Sequence, residues 1–213
     1  SRAIVQGAKH ALQEDTRGAV EVGEAILRER QKAVELAPPR VTASVDGRPV
    51  ELAEGSTVLD AIKSIGKSVP TLCYSDHLKP FGACRTCLVE LEGRNPVAAC
   101  HTPLVDGASY RTSSPLISRL RRNITELIVS DHPLECLDCT ANGRCELQSL
   151  AQQVGLRTPR YENPRTHHPP DDDRHPFIKV EMDKCIGCAR CVRVCDEVQG
   201  SFIDRKSTRL NSS

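Results

Sequence analysis

Hydrophobic and polar positions divide the chain into stretches of different texture. Residues 3–36, rich in Ala, Glu, Leu and Arg with apolar positions at mixed three and four spacing, read as one or two helices that end at "APPR", 37–40. From residue 41, "VTASVDGRPVEL" reads as two short β-type runs around Asp46-Gly47, a dipeptide that tolerates the positive φ of a tight hairpin. Ser56 or Thr57 can cap a helix through "VLDAIKSIG" that Gly66 closes. "CLVELEG" at 87–93 and "GASYRTS" at 107–113 supply further strands. "SPLISRLRRNITELIVS", 114–130, sets Leu116, Leu120, Ile124, Leu127 and Ile128 at helical spacing behind Pro115 and predicts an amphipathic helix. A second helix, "CELQSLAQQVG", follows from Cys145, and "FIKVEM" at 177–182 reads as a strand. Between them, "RTPRYENPRTHHPPDDDRHP" is too rich in proline and charge to pack by itself, and reads as a linker or a loop lying over a partner.

Composition changes what this pattern can mean. With 38% hydrophobic and 3% aromatic residues in 213, core material is thin, so something besides apolar burial should brace the fold. The 11 cysteines supply a candidate: they are odd in number and clustered at short spacings, which favours metal or cluster ligation over a disulfide framework. No apolar run approaches a membrane span and the first residues lack a secretory signal, so a cytoplasmic location is expected, where thiolates stay available for metals. A net charge of +1 suggests neither a nucleic-acid nor an anionic-membrane partner. The basic cluster "RLRRN", 119–123, reads as a solvated helix face, and Lys63 and Arg94 as surface charge. His167, His168 and His175 with Asp171, Asp172 and Asp173 could bind a metal, but a solvated loop is the preferred reading. "DRKSTRLNSS", 204–213, matches the translation of a common sequencing adapter, so the natural chain is expected to continue past Ile203.

The cysteines fall into three groups. Cys73, Cys84, Cys87 and Cys100, spaced C-x10-C-x2-C-x12-C, lie on a hairpin-and-helix region that resembles the opening of a β-grasp, as in plant-type ferredoxins. Four thiolates can hold a 2Fe-2S cluster, and the small residues of "FGACRTC" let backbone N–H groups turn toward the sulfurs; a four-cysteine zinc site is the alternative. His132, Cys136, Cys139 and Cys145 form a second group, which by ligand softness suits zinc as well as an iron–sulfur cluster. The third, Cys185, Cys188, Cys191 and Cys195 in "CIGCARCVRVC", is the bacterial-ferredoxin run C-x2-C-x2-C-x3-C. In such runs the fourth cysteine normally serves the other cluster of a pair, so the fourth ligand for Cys185, Cys188 and Cys191 is missing here, as is the second cluster that Cys195 would serve. Asp196 stands where ferredoxins usually have proline.

"SDHPLECLDCTANGRCELQ", 130–148, resembles the one-histidine, three-cysteine site HxxxCxxCxxxxxC of the superfamily that holds the G-type subunits of NADH-quinone oxidoreductases, iron-only hydrogenases and NAD-linked formate dehydrogenase alpha subunits. The resemblance implies a 4Fe-4S cluster with His132 as nitrogen ligand. "ANGRCELQ" and "CVRVCDEVQGSF" look most like the formate dehydrogenase alpha subunit, and the G-type subunits of the quinone enzymes tend to lack the equivalent of Cys195. The implied fold class is α+β: a helical segment of unassigned role (1–37), a 2Fe-2S β-grasp domain (38–113), a small helical histidine-ligated 4Fe-4S domain (114–158), a linker (159–176) and the start of a bacterial-ferredoxin-like domain (177–203). The implied function is electron transfer within a molybdopterin-dependent, NAD-linked formate dehydrogenase, with the pterin site beyond this sequence and a flavin/NAD-binding diaphorase-type subunit as partner. No catalytic residue is expected here, and no GxGxxG or P-loop offers a nucleotide site. The alternatives are a relay subunit of NADH-quinone oxidoreductase or of an NAD-linked hydrogenase, and, in another class, a zinc-stabilised binding module.

Overall fold

A computed structural model of the chain describes residues 22, 24–28, 38–161, 171–177 and 179–201. The chain divides into two compact units, Ser1–Pro39 and Arg40–Ser213. In the first, residues 24–28 are helical, with Glu24 and Arg28 paired one turn apart at 3.5 Å; the rest of the helices expected over 3–36 lies outside the described residues.

The second unit opens with the hairpin the sequence predicts: β1 (Arg40–Val45) and β2 (Arg48–Ala53), antiparallel with Val45 opposite Arg48. Asp46 and Gly47 take the turn at φ +50° and +78°. Asp46 also ties the turn down, accepting hydrogen bonds from the Thr112 N–H and hydroxyl (2.7 Å each) and from Lys67. Helix α1 (Val58–Ser64) starts at Thr57, which exchanges side-chain and backbone hydrogen bonds with Asp60 in a capping box. It ends where Gly66, at φ +73°, donates to the Lys63 carbonyl. Strands β3 (Leu88–Leu91), β4 (Val97–Ala98) and β5 (Ser109–Arg111) complete a sheet of order β2-β1-β5-β3-β4, with β5 parallel to β1 and all other pairs antiparallel. Val45, Val58, Ala61, Ile62, Val89 and Tyr110 are fully buried between sheet and helix. The two-residue β4 has no alternation that could announce it.

Helix α2 (Pro115–Ser130) is capped by Ser114, as Pro115 in the first turn suggests. Its buried face is not the stripe read from the sequence: Ile117, Thr125, Glu126 and Val129 are buried, while Leu127 is 59% exposed and Leu116, Leu120, Ile124 and Ile128 are not fully buried. Polar residues displace the stripe because each has a partner. The Thr125 hydroxyl donates to the Arg121 carbonyl at 2.7 Å, and the Glu126 carboxylate accepts from the backbone N–H (2.6 Å), Nε (2.9 and 3.1 Å) and Nη2 (2.7 Å) of Arg160. Nor is "RLRRN" wholly solvated: Arg121 is half-buried and donates to the Leu88 carbonyl, while Arg122 reaches the Gly155 carbonyl at 3.1 Å. Helix α3 (Glu146–Gln153) packs on α2 through a second core of Leu72, Val129, Leu147, Leu150 and Leu156.

The strand expected at 177–182 is not formed. Asp172 and Val180 make an isolated bridge, and Met182–Lys184 are a 3-10 turn. Phe177 is 92% exposed, residue 178 lies outside the described residues, and among the described residues no neighbouring strand is present to extend the bridge into a ladder. In the proline-rich segment, Asp172 is engaged by Arg174 and Asp171 accepts from the Met182 N–H, whereas His167 and His168 lie outside the described residues. Helix α4 (Arg190–Glu197) is the last helix of the described chain. Among the described residues no helix is long and apolar enough to cross a membrane.

The Glu126–Arg160 contact has a pH signature. Arg160 holds the Glu126 carboxyl down to about 2, against an ordinary value of 4.5. Because the folded value is the lower one, the contact stabilises fully above the unfolded value and is lost as pH falls through the folded one. The urea midpoint of the full chain should therefore exceed that of Glu126→Gln by a margin that stays flat from about pH 8 to 5 and shrinks below about 4.5. A margin that shrinks already on the alkaline side would contradict the assignment.

Candidate iron–sulfur centres

Residues 67–87 form no helix or strand, yet Leu72, Cys73, Thr86 and Cys87 are fully buried. Two left-handed positions, Gly82 at φ +67° and Arg85 at φ +58°, wrap this loop around its own sulfurs. Cys73 and Cys84 are adjacent, the Cys84 N–H lying 3.4 Å from the Cys73 sulfur, and the Cys87 and Cys100 sulfurs are 3.4 Å apart. The first predicted group is thus brought together as two pairs. Among the described residues no three His, Cys, Asp or Glu side chains converge on the point one metal ion would need.

The environment favours thiolate at Cys84 and Cys87 and thiol at Cys73 and Cys100. Burial would push Cys84 up, yet the Thr86 hydroxyl, 3.2 Å from its sulfur, and the N–H groups of Thr86, Leu72 and Cys73 hold it below its ordinary value. A hydrogen bond with Cys100 brings Cys87 down to about 6, and the same contact drives Cys100 up, so one proton is shared between them. Burial raises Cys73. Thiols in two pairs, three of them buried and Cys84 half-buried, met by backbone N–H groups, fit a cluster in which each of two irons takes two thiolates.

His132, Cys136, Cys139 and Cys145 all line one cavity of about 170 Å³ between α2 and α3. Its wall is apolar, built from Val129, Leu147, Ala151 and Leu156. His132 Nδ1 lies 2.8 Å from the Pro133 carbonyl. A carbonyl only accepts, so Nδ1 carries the proton and Nε2 keeps the lone pair a metal requires. Three thiols and an imidazole nitrogen around a largely apolar cavity fit a 4Fe-4S cluster.

The third group is the most open. Cys185 and Cys188 lie on a loop where the Gly187 N–H approaches the Cys185 sulfur at 3.4 Å, and Cys191 and Cys195 stand one turn apart on α4; Cys185 and Cys191 are exposed. Among the described residues no sulfur–sulfur hydrogen bond joins these four. Two arginines of α4 that sequence reasoning missed tie this segment to the other groups. Arg190 pairs with Glu146, the neighbour of Cys145. Arg193, buried, donates to the Cys73 carbonyl at 3.2 Å and to the Lys79 carbonyl, stacks over Phe81 at 4.8 Å, and pairs with Glu197, which accepts from the Lys79 N–H at 2.7 Å. Both follow ferredoxin-run cysteines closely, but a charged helix residue carries no sequence mark of the distant carbonyl it will meet.

Comparison with known proteins gives three consecutive domain matches: a 2Fe-2S iron-sulfur cluster binding domain over residues 39–115, the NADH-ubiquinone oxidoreductase-G iron-sulfur binding region over 121–160, and the NADH-quinone oxidoreductase subunit 3 ferredoxin-like domain over 175–207. Similar curated proteins include the second G-type subunit of NADH-quinone oxidoreductase from Rhizobium meliloti (39% identical; 76% of this chain, 19% of the relative). NADP-reducing hydrogenase subunit HndD of Solidesulfovibrio fructosivorans is 40% identical over 75% of this chain and 28% of its own length. NADPH-Fe(3+) oxidoreductase subunit alpha of Geobacter sulfurreducens is 38% identical over 75% of this chain and 19% of its own length. The chain thus spans between 19% and 28% of these relatives. Among solved structures, an NAD+-reducing [NiFe]-hydrogenase in the H2-reduced state matches with a TM-score of 0.70 and 29% identity, covering 76% of this chain and 68% of that one.

The wrap of the first loop is testable at Gly82. A Cβ there would stand 3.0 Å from the His101 Cβ besides requiring positive φ, whereas Gly55, at φ +88°, has open space. Gly55→Ala should cost about 1–2 kcal/mol for the left-handed backbone alone. Gly82→Ala should cost more and should also lower iron incorporation per chain; equal losses and full iron loading in both would refute the close approach.

Proposed function

From a chain that carries iron–sulfur domains like those of the NADH-quinone oxidoreductase G-type subunits, in α+β folds of the 2Fe-2S and 4Fe-4S ferredoxin types, we propose an electron relay inside a larger oxidoreductase. The observation that carries this reading is the arrangement of the first group as two thiol pairs, Cys73 with Cys84 and Cys87 with Cys100, all but the half-buried Cys84 buried. Sheet order β2-β1-β5-β3-β4 with a parallel central pair supports a β-grasp around it. Clusters, when bound, supply one-electron carriers whose potentials the protein tunes.

The rest is the work of this chain's residues. Cys73, Cys84, Cys87 and Cys100 are the ligands of a 2Fe-2S cluster, and His132, Cys136, Cys139 and Cys145 those of a 4Fe-4S cluster. Cys185, Cys188 and Cys191 serve a further 4Fe-4S cluster, and Cys195 another of the pair. The boundaries 38–113, 114–158 and 177–203 mark the three domains, with 159–176 as linker. Largely apolar walls surround the second group, and the Arg190 and Arg193 contacts fix the third segment against the first two.

A flavin/NAD-binding subunit is the proposed electron partner, and the location cytoplasmic. For the catalytic end, a molybdopterin site oxidising formate rests on the likeness of "CVRVCDEVQGSF", with Cys195 retained, to formate dehydrogenase alpha subunits. The names of the relatives favour the second reading, a relay for NADH-quinone oxidoreductase or an NAD-linked hydrogenase.

The ligand assignment is tested by two substitutions in the full chain purified without air. Cys87→Ala should abolish the 2Fe-2S electron paramagnetic resonance signal and leave the 4Fe-4S signals in place. His132→Cys should keep a 4Fe-4S cluster but move its midpoint potential, because a thiolate replaces a neutral imidazole. A full 2Fe-2S spectrum in the first, or an unmoved potential in the second, would overturn the corresponding assignment.

A further inference from the structure

Arg121 is a cation in the wrong place for a solvated face. It stands on α2 against β3, half-buried, and its Nη2 donates to the carbonyl of Leu88, the residue after Cys87, at 2.6 Å. Its Nε is buried and has no hydrogen-bond partner. Among the described residues no carboxylate lies within ion-pair distance of it: Glu90 on the same strand pairs with Arg111 at 3.6 Å, and Glu126 on the same helix pairs with Arg160. Desolvating a guanidinium against a single neutral carbonyl is unfavourable unless an anion compensates.

The carbonyl that Arg121 grips belongs to the residue that follows Cys87, a thiol of the first group. Burial pushes the Arg121 guanidinium down, and the Cys87 thiolate is the group that opposes the push. Four thiolates around a 2Fe-2S cluster leave the site net negative, and reduction adds one more negative charge. A fixed, half-buried cation near Cys87 therefore favours the reduced state, and partial burial weakens the screening of that interaction.

We propose that Arg121 is the counter-charge of the first iron–sulfur site, acting through its charge on the Cys87 side to raise the site's reduction potential. This rests on the reading of Cys73, Cys84, Cys87 and Cys100 as 2Fe-2S ligands. Arg121 touches no cluster atom in this scheme. Its role differs from that of Arg193, whose guanidinium is satisfied by Glu197 and two carbonyls.

The test is a potentiometric titration of the full chain purified without air, followed by electron paramagnetic resonance, for the unsubstituted protein, Arg121→Gln and Arg121→Lys. Arg121→Gln should shift the 2Fe-2S midpoint negative by about 60 mV, a tenfold change in a one-electron equilibrium, while the 4Fe-4S potentials stay put. Arg121→Lys, which keeps the charge, should return the midpoint most of the way to the unsubstituted value. A full 2Fe-2S signal titrating at the unsubstituted potential in Arg121→Gln overturns the assignment alone. Absence of that signal from the unsubstituted chain overturns the cluster reading and the assignment with it. If Arg121→Gln does not load a cluster, Arg121→Lys decides: an unsubstituted-like potential supports the proposal, and a shifted potential or an unloaded site overturns it.

Discussion

Everything in the second unit leans on one loop that has no regular structure of its own. Residues 67–87 must bury Leu72, Cys73, Thr86 and Cys87 without a helix or sheet to satisfy their backbone groups. The sulfurs take part of that role, accepting N–H groups that would otherwise be orphaned, and the Thr86 hydroxyl reaches the Pro70 carbonyl at 3.3 Å. The neighbours take the rest. Leu72 is the apolar plug that the α2–α3 core closes over, and Arg193 reads the Cys73 carbonyl from α4. One irregular loop thereby contacts the scaffolds of the other two cysteine groups.

Much of this was legible in the sequence, and the reasons differ by element. Asp46-Gly47, Thr57 with Asp60, and Ser114 with Pro115 encode local geometry, so hairpin and helix starts fall where the residues predict. The buried face of α2 was not legible, because Thr125 and Glu126 are hidden by partners up to 34 residues away rather than by their own hydropathy. For the same reason "RLRRN" reads as surface while Arg121 is tucked against β3. The strand at 177–182 failed on the opposite ground: its pattern is right, but among the described residues no neighbouring strand exists for it to extend.

The site was legible as spacing and illegible as arrangement. Short intervals announce which cysteines belong together, and the first two groups do assemble, one as pairs and one around a cavity. What spacing could not convey is the sorting of four thiols into Cys73 beside Cys84 and Cys87 beside Cys100. Nor could it convey the arginines. Arg190 and Arg193 are neutralised by Glu146 and Glu197 and serve docking, whereas Arg121 beside the Leu88 carbonyl has no carboxylate partner among the described residues.

The central claim, that these cysteines and His132 hold iron–sulfur clusters, is tested most directly by metal and acid-labile sulfide analysis of the full chain purified without air. The account predicts a brown protein with iron and sulfide in comparable amounts and negligible zinc. A colourless protein containing zinc and no sulfide would contradict it.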